Sequence, residues 1–229
     1  MHIPSKNILL LLAFLTSCTN SKTQKTNTST CTDTLYIHDT VHIHDIYSTE
    51  HNWQEDFNIT QNPEVDSIAG KAVLFYIENK ECSGLAYDFY DGRLRPSDNG
   101  ATSELLKLAY SSNKDLRPFY RWILQKTIDI QDGALGEYTG VPARKYAETY
   151  PEEFFKFMDE DSSGQRIEDW IGSIEYSGFY DYDDWRKPKK VRQEFINKMK
   201  QNCKEEDEKI YDRIEKFGLE CFKEYLKKD

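Results

Sequence analysis

Four of the five histidines lie close together, at positions 38, 42, 44 and 51. Three of them belong to a hexad pattern in which residues 33–38 are echoed by residues 39–44. Because strand side chains alternate between two faces, His38, His42 and His44 would share one face. Imidazole nitrogens bind Zn²⁺ and Cu²⁺ well, so a weak metal site at these histidines is one interpretation. The other is a solvated polar strand face.

Two stretches, residues 87–91 and 176–185, combine aromatic rings with carboxylates. Exposed rings stack on sugars or cationic groups, and carboxylates accept hydrogen bonds, so both stretches are candidates for ligand binding. The same composition also builds the edge of a core whose tyrosine hydroxyls reach water. The predicted ligand-binding residues are Tyr87, Asp88, Tyr90, Tyr180, Tyr182, Asp183 and Trp185.

The N-terminus reads MHIPSKNILLLLAFLTSC, with a basic Lys6, an apolar run over residues 8–15 and a thiol at Cys18. A short apolar run after a positive start is typical of a secretory signal. The ending LTSC resembles the lipobox of bacterial lipoprotein precursors. That resemblance implies acylation of Cys18 and removal of residues 1–17 as the signal peptide. With Thr19 next and no acidic run after it, the resemblance implies a lipid anchor at the periplasmic face of the outer membrane.

Residues 18–50 are expected to form a tether. Nine of the seventeen residues from Cys18 to Thr34 are Ser or Thr, and such a stretch buries too little apolar surface to offset its ordering entropy. The hexad pattern that follows predicts a partly extended stalk. Residues 51–229 then form the globular domain.

The formal net charge is −10, and removal of residues 1–17 takes away only the positive Lys6. Such a body repels phosphates, so a nucleic-acid partner is not expected. A basic partner or a cationic ligand fits the charge, although acidity also simply keeps a domain soluble.

Four further cysteines, Cys31, Cys82, Cys203 and Cys221, allow three complete disulfide pairings in an oxidising compartment. Cys203 and Cys221 lie in helix-like sequence and could pair across a hairpin or pack as small apolar groups. No C-x-x-C spacing indicates thiol-redox chemistry.

Residues 159–164 (DEDSSG) match the first half of a calcium loop. Position twelve of an EF-hand loop requires a bidentate Glu, but here it is Trp170. The pattern therefore favours a polar loop in which Ser163 caps the next helix.

Residues 51–229 show the periodicity of amphipathic helices and predict a mainly α domain, either an irregular helical bundle or an array of helix pairs. Residues 71–79 could form a strand or a helix. Gly133, Gly136 and Gly140 look like a connection between helices. The predicted helices cover residues 102–111, 115–131 with Asp115 as N-cap, from Pro142, from Pro151, 163–178, from Pro188, and 204–228.

No histidine follows His51, and there is no phosphate loop and no H-E-x-x-H motif. The sequence therefore favours a binding module for a protein, peptide or envelope glycan over an enzyme. One alternative is an inhibitor or immunity-type lipoprotein that masks a basic toxin or lysozyme. The other is a carboxylate-dependent glycan hydrolase, with its acids among Asp88, Asp91, Asp181, Asp183 and Asp184.

Overall fold

The computed structural model describes residues 52–182, 187–204 and 207–223. The predictions for the signal peptide, the tether and the histidine face concern residues outside these ranges. Within them the mainly α class is confirmed: the chain forms nine α-helices, two short 3₁₀-helices and one antiparallel pair of strands. The strands are β1 (Ser67–Ile68) and β2 (Lys71–Ala72), and the helices are α1 (Val73–Ile77), α2 (Gly84–Tyr90), α3 (Gly100–Lys107), α4 (Arg117–Asp129), α5 (Gly133–Thr149), α6 (Pro151–Asp159), α7 (Gln165–Ser177), α8 (Pro188–Gln201) and α9 (Glu208–Glu220).

The segment 71–79 contains both of its predicted structures. Its first two residues are β2, which pairs with β1, and the next five are α1. Ala69 and Gly70 both adopt positive φ in the two-residue turn between the strands, a geometry that glycine adopts without strain. Alone, so short a hairpin would be unstable, and it depends on Ile68 being buried in the core.

The N-terminal core is rich in aromatic rings and packs around α1, α2 and the first half of α4. Tyr76 stacks on Phe119 with ring centroids 5.3 Å apart, and Trp122 meets Phe89 edge-on at 5.8 Å. Large rings bury much area per residue, and so they close a core in a chain with few aliphatic side chains.

The C-terminal core is built by α5 to α9 around Trp170, which is fully buried. The Trp170 ring lies 5.6 Å from Phe154, and the Phe154 ring lies 4.7 Å from Phe217. Helix α4 joins the two cores, since Ile123 belongs to the N-terminal one and its neighbour Leu124 to the C-terminal one. The fold is therefore an irregular bundle organised around α4.

Two predictions about the region of α5 are wrong. It begins at Gly133, where the Asp132 side chain accepts the N–H of Leu135 at 2.9 Å, and it runs through Pro142. Pro142 therefore does not start a helix, and the glycines at 133, 136 and 140 are helical. Packing of α5 against its neighbours outweighs the missing proline N–H.

Glycines on α5, which have no Cβ, and small serine side chains on α7 allow the two helices to approach each other closely. Ser177 donates its hydroxyl to the Gly136 carbonyl at 2.7 Å and accepts the Gly140 N–H at 3.1 Å. Ser173 donates to the Thr139 hydroxyl at 2.8 Å. These bonds satisfy buried hydroxyls between two helices whose backbones nearly touch.

The prolines at 151 and 188 occupy the first positions of α6 and α8, as predicted. The N-cap of α4 is Leu116 rather than Asp115, and in the turn before it Asn113 accepts the N–H groups of Asp115 and Leu116 at 3.0 and 3.2 Å. Across residues 52–182, 187–204 and 207–223, no helix has the length and apolarity of a membrane span.

Candidate functional site

The first aromatic-acidic stretch lies on α2 and the turn after it. Tyr87 is exposed, with the guanidinium of Arg93 over its ring. Arg93 pairs with Asp88 and with Asp91, both at 2.8 Å. Both acids of this stretch therefore already have a cationic partner within the domain.

Tyr90 is 1% exposed, so it forms core rather than a binding surface. Its hydroxyl donates to Asp66 at 2.5 Å. Burial, together with this bond to a carboxylate, raises the pKa of Tyr90. Although burial acts to raise it, the pKa of Asp66 is lowered by hydrogen bonds from Tyr90 and Thr60. The Tyr90 hydroxyl thus links α2 to the segment before β1 by a hydrogen bond.

The second stretch ends α7 and continues beyond it. Tyr180 is 59% exposed, whereas Tyr182 is half-buried against the C-terminal core. Asp183 and Trp185 lie outside the described residues. Tyr90 packs in the N-terminal core and Tyr182 against the C-terminal core, so these two predicted residues do not belong to one binding surface.

In the calcium-like loop, the carboxylate of Asp161 accepts hydrogen bonds from donors of the protein itself. Asp161 accepts the N–H of Arg166 at 2.9 Å and both donors of Ser163, and these bonds lower its pKa to about 2. Ser163 in turn accepts the N–H of Gln165, the first residue of α7, at 3.2 Å. In the part of the chain that the structure describes, no three His, Cys, Asp or Glu residues are grouped to hold a metal.

Cys82, Cys203 and Cys221 are free thiols in this structure. Cys221 is wholly buried, which raises its pKa well above the ordinary value. It therefore packs as a small apolar group. Cys18, Cys31, His38, His42 and His44 lie outside the described residues.

An acidic groove runs beside the N-terminal core, formed by two pockets of about 280 and 250 Å³. The pockets share Arg95 and Ile130 in their walls, so they lie side by side. Four carboxylates line the groove against one guanidinium, and Lys126 beside the groove pairs with one of them, Asp129, which leaves an excess of two negative charges. Its defining residues are Trp53, Asp56, Arg95, Asp98, Asp129 and Asp132.

Two of these aspartates are held by their own helices. Asp129, at the end of α4, accepts from Gln125 at 2.6 Å and from Lys126 at 3.0 Å. Asp132 caps α5. Their positions are therefore set before any ligand arrives.

The other charged groups of the groove, Asp98, Asp56 and Arg95, make fewer hydrogen bonds and ion pairs within the protein. Asp98 accepts the hydroxyl of Tyr138, and this bond raises the pKa of Tyr138. Neither Asp56 nor Arg95 has an ion-pair partner among the residues that the structure describes. Both groups therefore remain available to a ligand.

A charged cleft of about 540 Å³ opens beside the C-terminal core, between α5, residues 181–182 and α8. Its base is Arg144, whose side chain is 1% exposed. Arg144 donates to both oxygens of Glu148 at 2.9 Å, to both oxygens of Asp181 at 2.7 and 2.8 Å, and to the Gly178 carbonyl at 2.6 Å. A buried arginine thus orders both acids.

Among the predicted ligand-binding residues that the structure describes, Tyr182 lines this cleft. Its hydroxyl donates to Glu148 at 3.1 Å and accepts from Lys198 at 2.6 Å. Burial raises the pKa of Tyr182, so the phenol stays protonated. The remaining lining residues are Lys145, Lys190 and Glu194.

Sequence reasoning missed most of these groups because they come from separated segments. Within the cleft, the spacing of Arg144 and Glu148, four residues apart on one helix, was a usable signal. In the groove, Asp56, Asp98 and Asp129 lie on different elements, and no local pattern joins them.

Neither the protein-family models, nor the curated proteins, nor the solved structures that were compared with this chain gave a significant match.

Proposed function

We propose that this chain is a bacterial lipoprotein, held by acyl chains on Cys18 at the periplasmic face of the outer membrane. Its helical domain binds a basic segment of another envelope protein in the acidic groove. The anchor rests on residues 1–18 and the binding role on the charge of the groove. The proposal keeps the acidic, aromatic interaction surface expected from the sequence but assigns it to other residues.

The anchor is supported by the order of features at the N-terminus: Lys6, the apolar run and the LTSC ending. A single acyl chain binds a bilayer only marginally, whereas several chains hold a protein firmly. Cells grown with labelled palmitate provide the test. Cys18→Ala should lose the label and leave the membrane pellet, and Cys31→Ala should keep both. A Cys18→Ala chain that still carries palmitate would refute the anchor.

The observation that carries the binding role is the excess of two negative charges in a concave surface that Trp53 and Ile130 help to line. Concave walls of low dielectric concentrate the field of their charges. Lysine and arginine side chains combine an apolar stem with a cationic head. A basic peptide can therefore lay its stems on the apolar wall and place its heads on the aspartates.

The test is binding of a lysine-rich fluorescent peptide to the detergent-solubilised full chain, followed by anisotropy. Asp56→Asn with Asp98→Asn removes one charge from each pocket and should weaken binding about 5- to 30-fold, since each surface charge contributes up to about 1 kcal/mol. Asp212→Asn, an exposed acid on α9, is the control for net charge. Binding should also weaken as salt rises.

Two outcomes would refute the groove as the binding surface. One is unchanged peptide affinity in the double variant, and the other is an equal loss in Asp212→Asn. If neutral envelope oligosaccharides bound in place of the peptide, the basic partner would be refuted.

The same groove favours one further role, because its negative charge also complements a basic toxin or lysozyme. An inhibitor of that kind would protect cells from an added cationic hydrolase. That protection should be lost in the Asp56→Asn, Asp98→Asn variant and kept in Asp212→Asn. Cells that stay equally protected with all three chains would exclude inhibition through the groove.

A further inference from the structure

The charged cleft differs from the acidic groove in the sign of its charge, because cations outnumber carboxylates in its described lining. Its two ordered acids, Glu148 and Asp181, point their oxygens at Arg144, and each of the four oxygens accepts at least one hydrogen bond from it. Glu148 also accepts from Tyr182. The acceptors of the cleft are thus largely satisfied from within.

The donors of the cleft are not satisfied in the same way. Lys198 is 49% exposed and gives one hydrogen bond, to the neutral hydroxyl of Tyr182, while its nearest carboxylate oxygen, on Glu148, is 3.9 Å away. Lys145 is 38% exposed and lies 3.3 Å from Asp181, an acid that Arg144 already holds. An ammonium carries three donors, so both lysines keep N–H groups directed at solvent.

We propose that this cleft binds a sugar-sized anion, whose carboxylate or phosphate group is held by Lys145 and Lys198. An oxyanion is negatively charged and has several hydrogen-bond acceptors. It can therefore accept from the N–H groups of both lysines that have no acceptor within the protein. The ammonium of Lys198 and the guanidinium of Arg144 lie over the Tyr182 ring, 4.6 and 4.7 Å from its centroid, and these contacts help to keep Lys198 in place at the cleft. The site is separate from the acidic groove and does not depend on the function proposed for it.

Size and charge agree with this ligand. A volume of about 540 Å³ falls in the range of small-molecule sites. Among the lining residues that the structure describes, four cations face three carboxylates, so the cleft is positive in a strongly acidic protein. Burial acts to lower the pKa of Lys198, but Tyr182 and Glu148 raise it overall, and the ammonium stays charged.

Isothermal titration of the full chain in a non-ionic detergent tests the proposal with four probes: glucuronate, glucose 6-phosphate, glucose and inorganic phosphate. Glucuronate and glucose 6-phosphate separate the two sources of the anion. At least one of them should bind saturably and more weakly as salt rises, and glucose should not bind. Lys198→Met and Lys145→Met should each weaken that binding about tenfold or more.

Lys107→Met on α3 is the matched control, because Lys107 is also 49% exposed, lies outside the cleft lining and pairs with Glu104. It should leave binding unchanged, as should Asp56→Asn with Asp98→Asn in the acidic groove. Thermal midpoints confirm that each variant is folded. The proposal is overturned if neither anionic sugar binds, or if glucose binds as tightly as they do. It is equally overturned if inorganic phosphate alone matches glucose 6-phosphate, or if both lysine variants keep full affinity.

Discussion

Helices α5 and α7 approach each other closely at Gly140, and the substitution Gly140→Ala tests the packing of the C-terminal core. A Cβ at this position would lie 2.4 Å from the Ser173 carbonyl, 2.4 Å from the Ser177 hydroxyl and 2.5 Å from the Gly178 nitrogen. Real Cβ atoms essentially never come within 3.0 Å of such atoms. Two of the three contacts are backbone, so the helices must move apart.

The expected loss follows from two opposing effects. Overpacking a well-filled core costs about 1–3 kcal/mol, and rigid backbone contacts place this site near the upper end. Alanine in a helix interior gains about 1 kcal/mol over glycine. The net loss in the free energy of unfolding is therefore about 2 kcal/mol. For a domain of this size that lowers the thermal midpoint by about 4–8 °C.

Gly172 on α7 provides the matched control, because a Cβ there meets nothing within 4 Å. Gly172→Ala should gain about 1 kcal/mol from helix propensity alone and raise the midpoint by about 2–4 °C. Thermal and urea unfolding of the full chain, followed by circular dichroism, would measure both variants. The close approach of α5 and α7 would be disproved if Gly140→Ala were as stable as the parent chain.

Three further predictions concern buried charge and thiol groups. Arg144→Met should destabilise the domain by about 3–5 kcal/mol in urea unfolding, since the buried Glu148 loses both hydrogen bonds from the guanidinium, and Glu148→Gln added to it should recover part of the loss. The hydrogen bond from Arg117 lowers the pKa of Glu153 below its ordinary 4.5, so the stability that this pair provides is present above that pH and is lost as pH falls through the lowered value. Glu153→Gln should therefore be less stable than the parent at pH 7, and the difference should shrink in acid; a pH-independent difference would contradict this account. Cys221 should resist a thiol reagent in the native protein and react in urea, as mapped by mass spectrometry, because it is buried with a raised pKa; rapid labelling of the native form would contradict this.

Hydrophobic periodicity predicted the helices well where one face of a helix is buried. The pattern of Ile167, Trp170, Ile171 and Ile174 corresponds to α7, with Trp170 and Ile174 at its fully buried centre. First-turn prolines located the starts of α6 and α8, because a proline lacks an N–H that those positions do not use. These effects involve residues only a few positions apart, so the sequence was sufficient to locate these helices.

The same local rules failed in α5. Its glycines and Pro142 resemble a break in the chain, yet the helix continues through them. Gly140 is required because α7 passes too close for a Cβ. A residue that weakens an isolated helix can thus be the one that its tertiary packing demands.

The candidate sites depended still more on tertiary structure. Tyr90 and Tyr182 share an aromatic-acidic context, but one is core and the other lines a cleft. The acidic groove joins Asp56, Asp98 and Asp129 from three segments. A carboxylate is recognisable in a sequence, but the charges that it will face are not.

By itself, then, the sequence determined the helical class, most helix starts and the acidity, since these follow from composition and from contacts between residues a few positions apart. The tertiary structure alone decided which glycines separate helices, which tyrosines are buried and which charges converge. Those outcomes depend on surfaces brought together from distant parts of the chain, where burial and neighbouring charge, rather than residue type, set the chemistry.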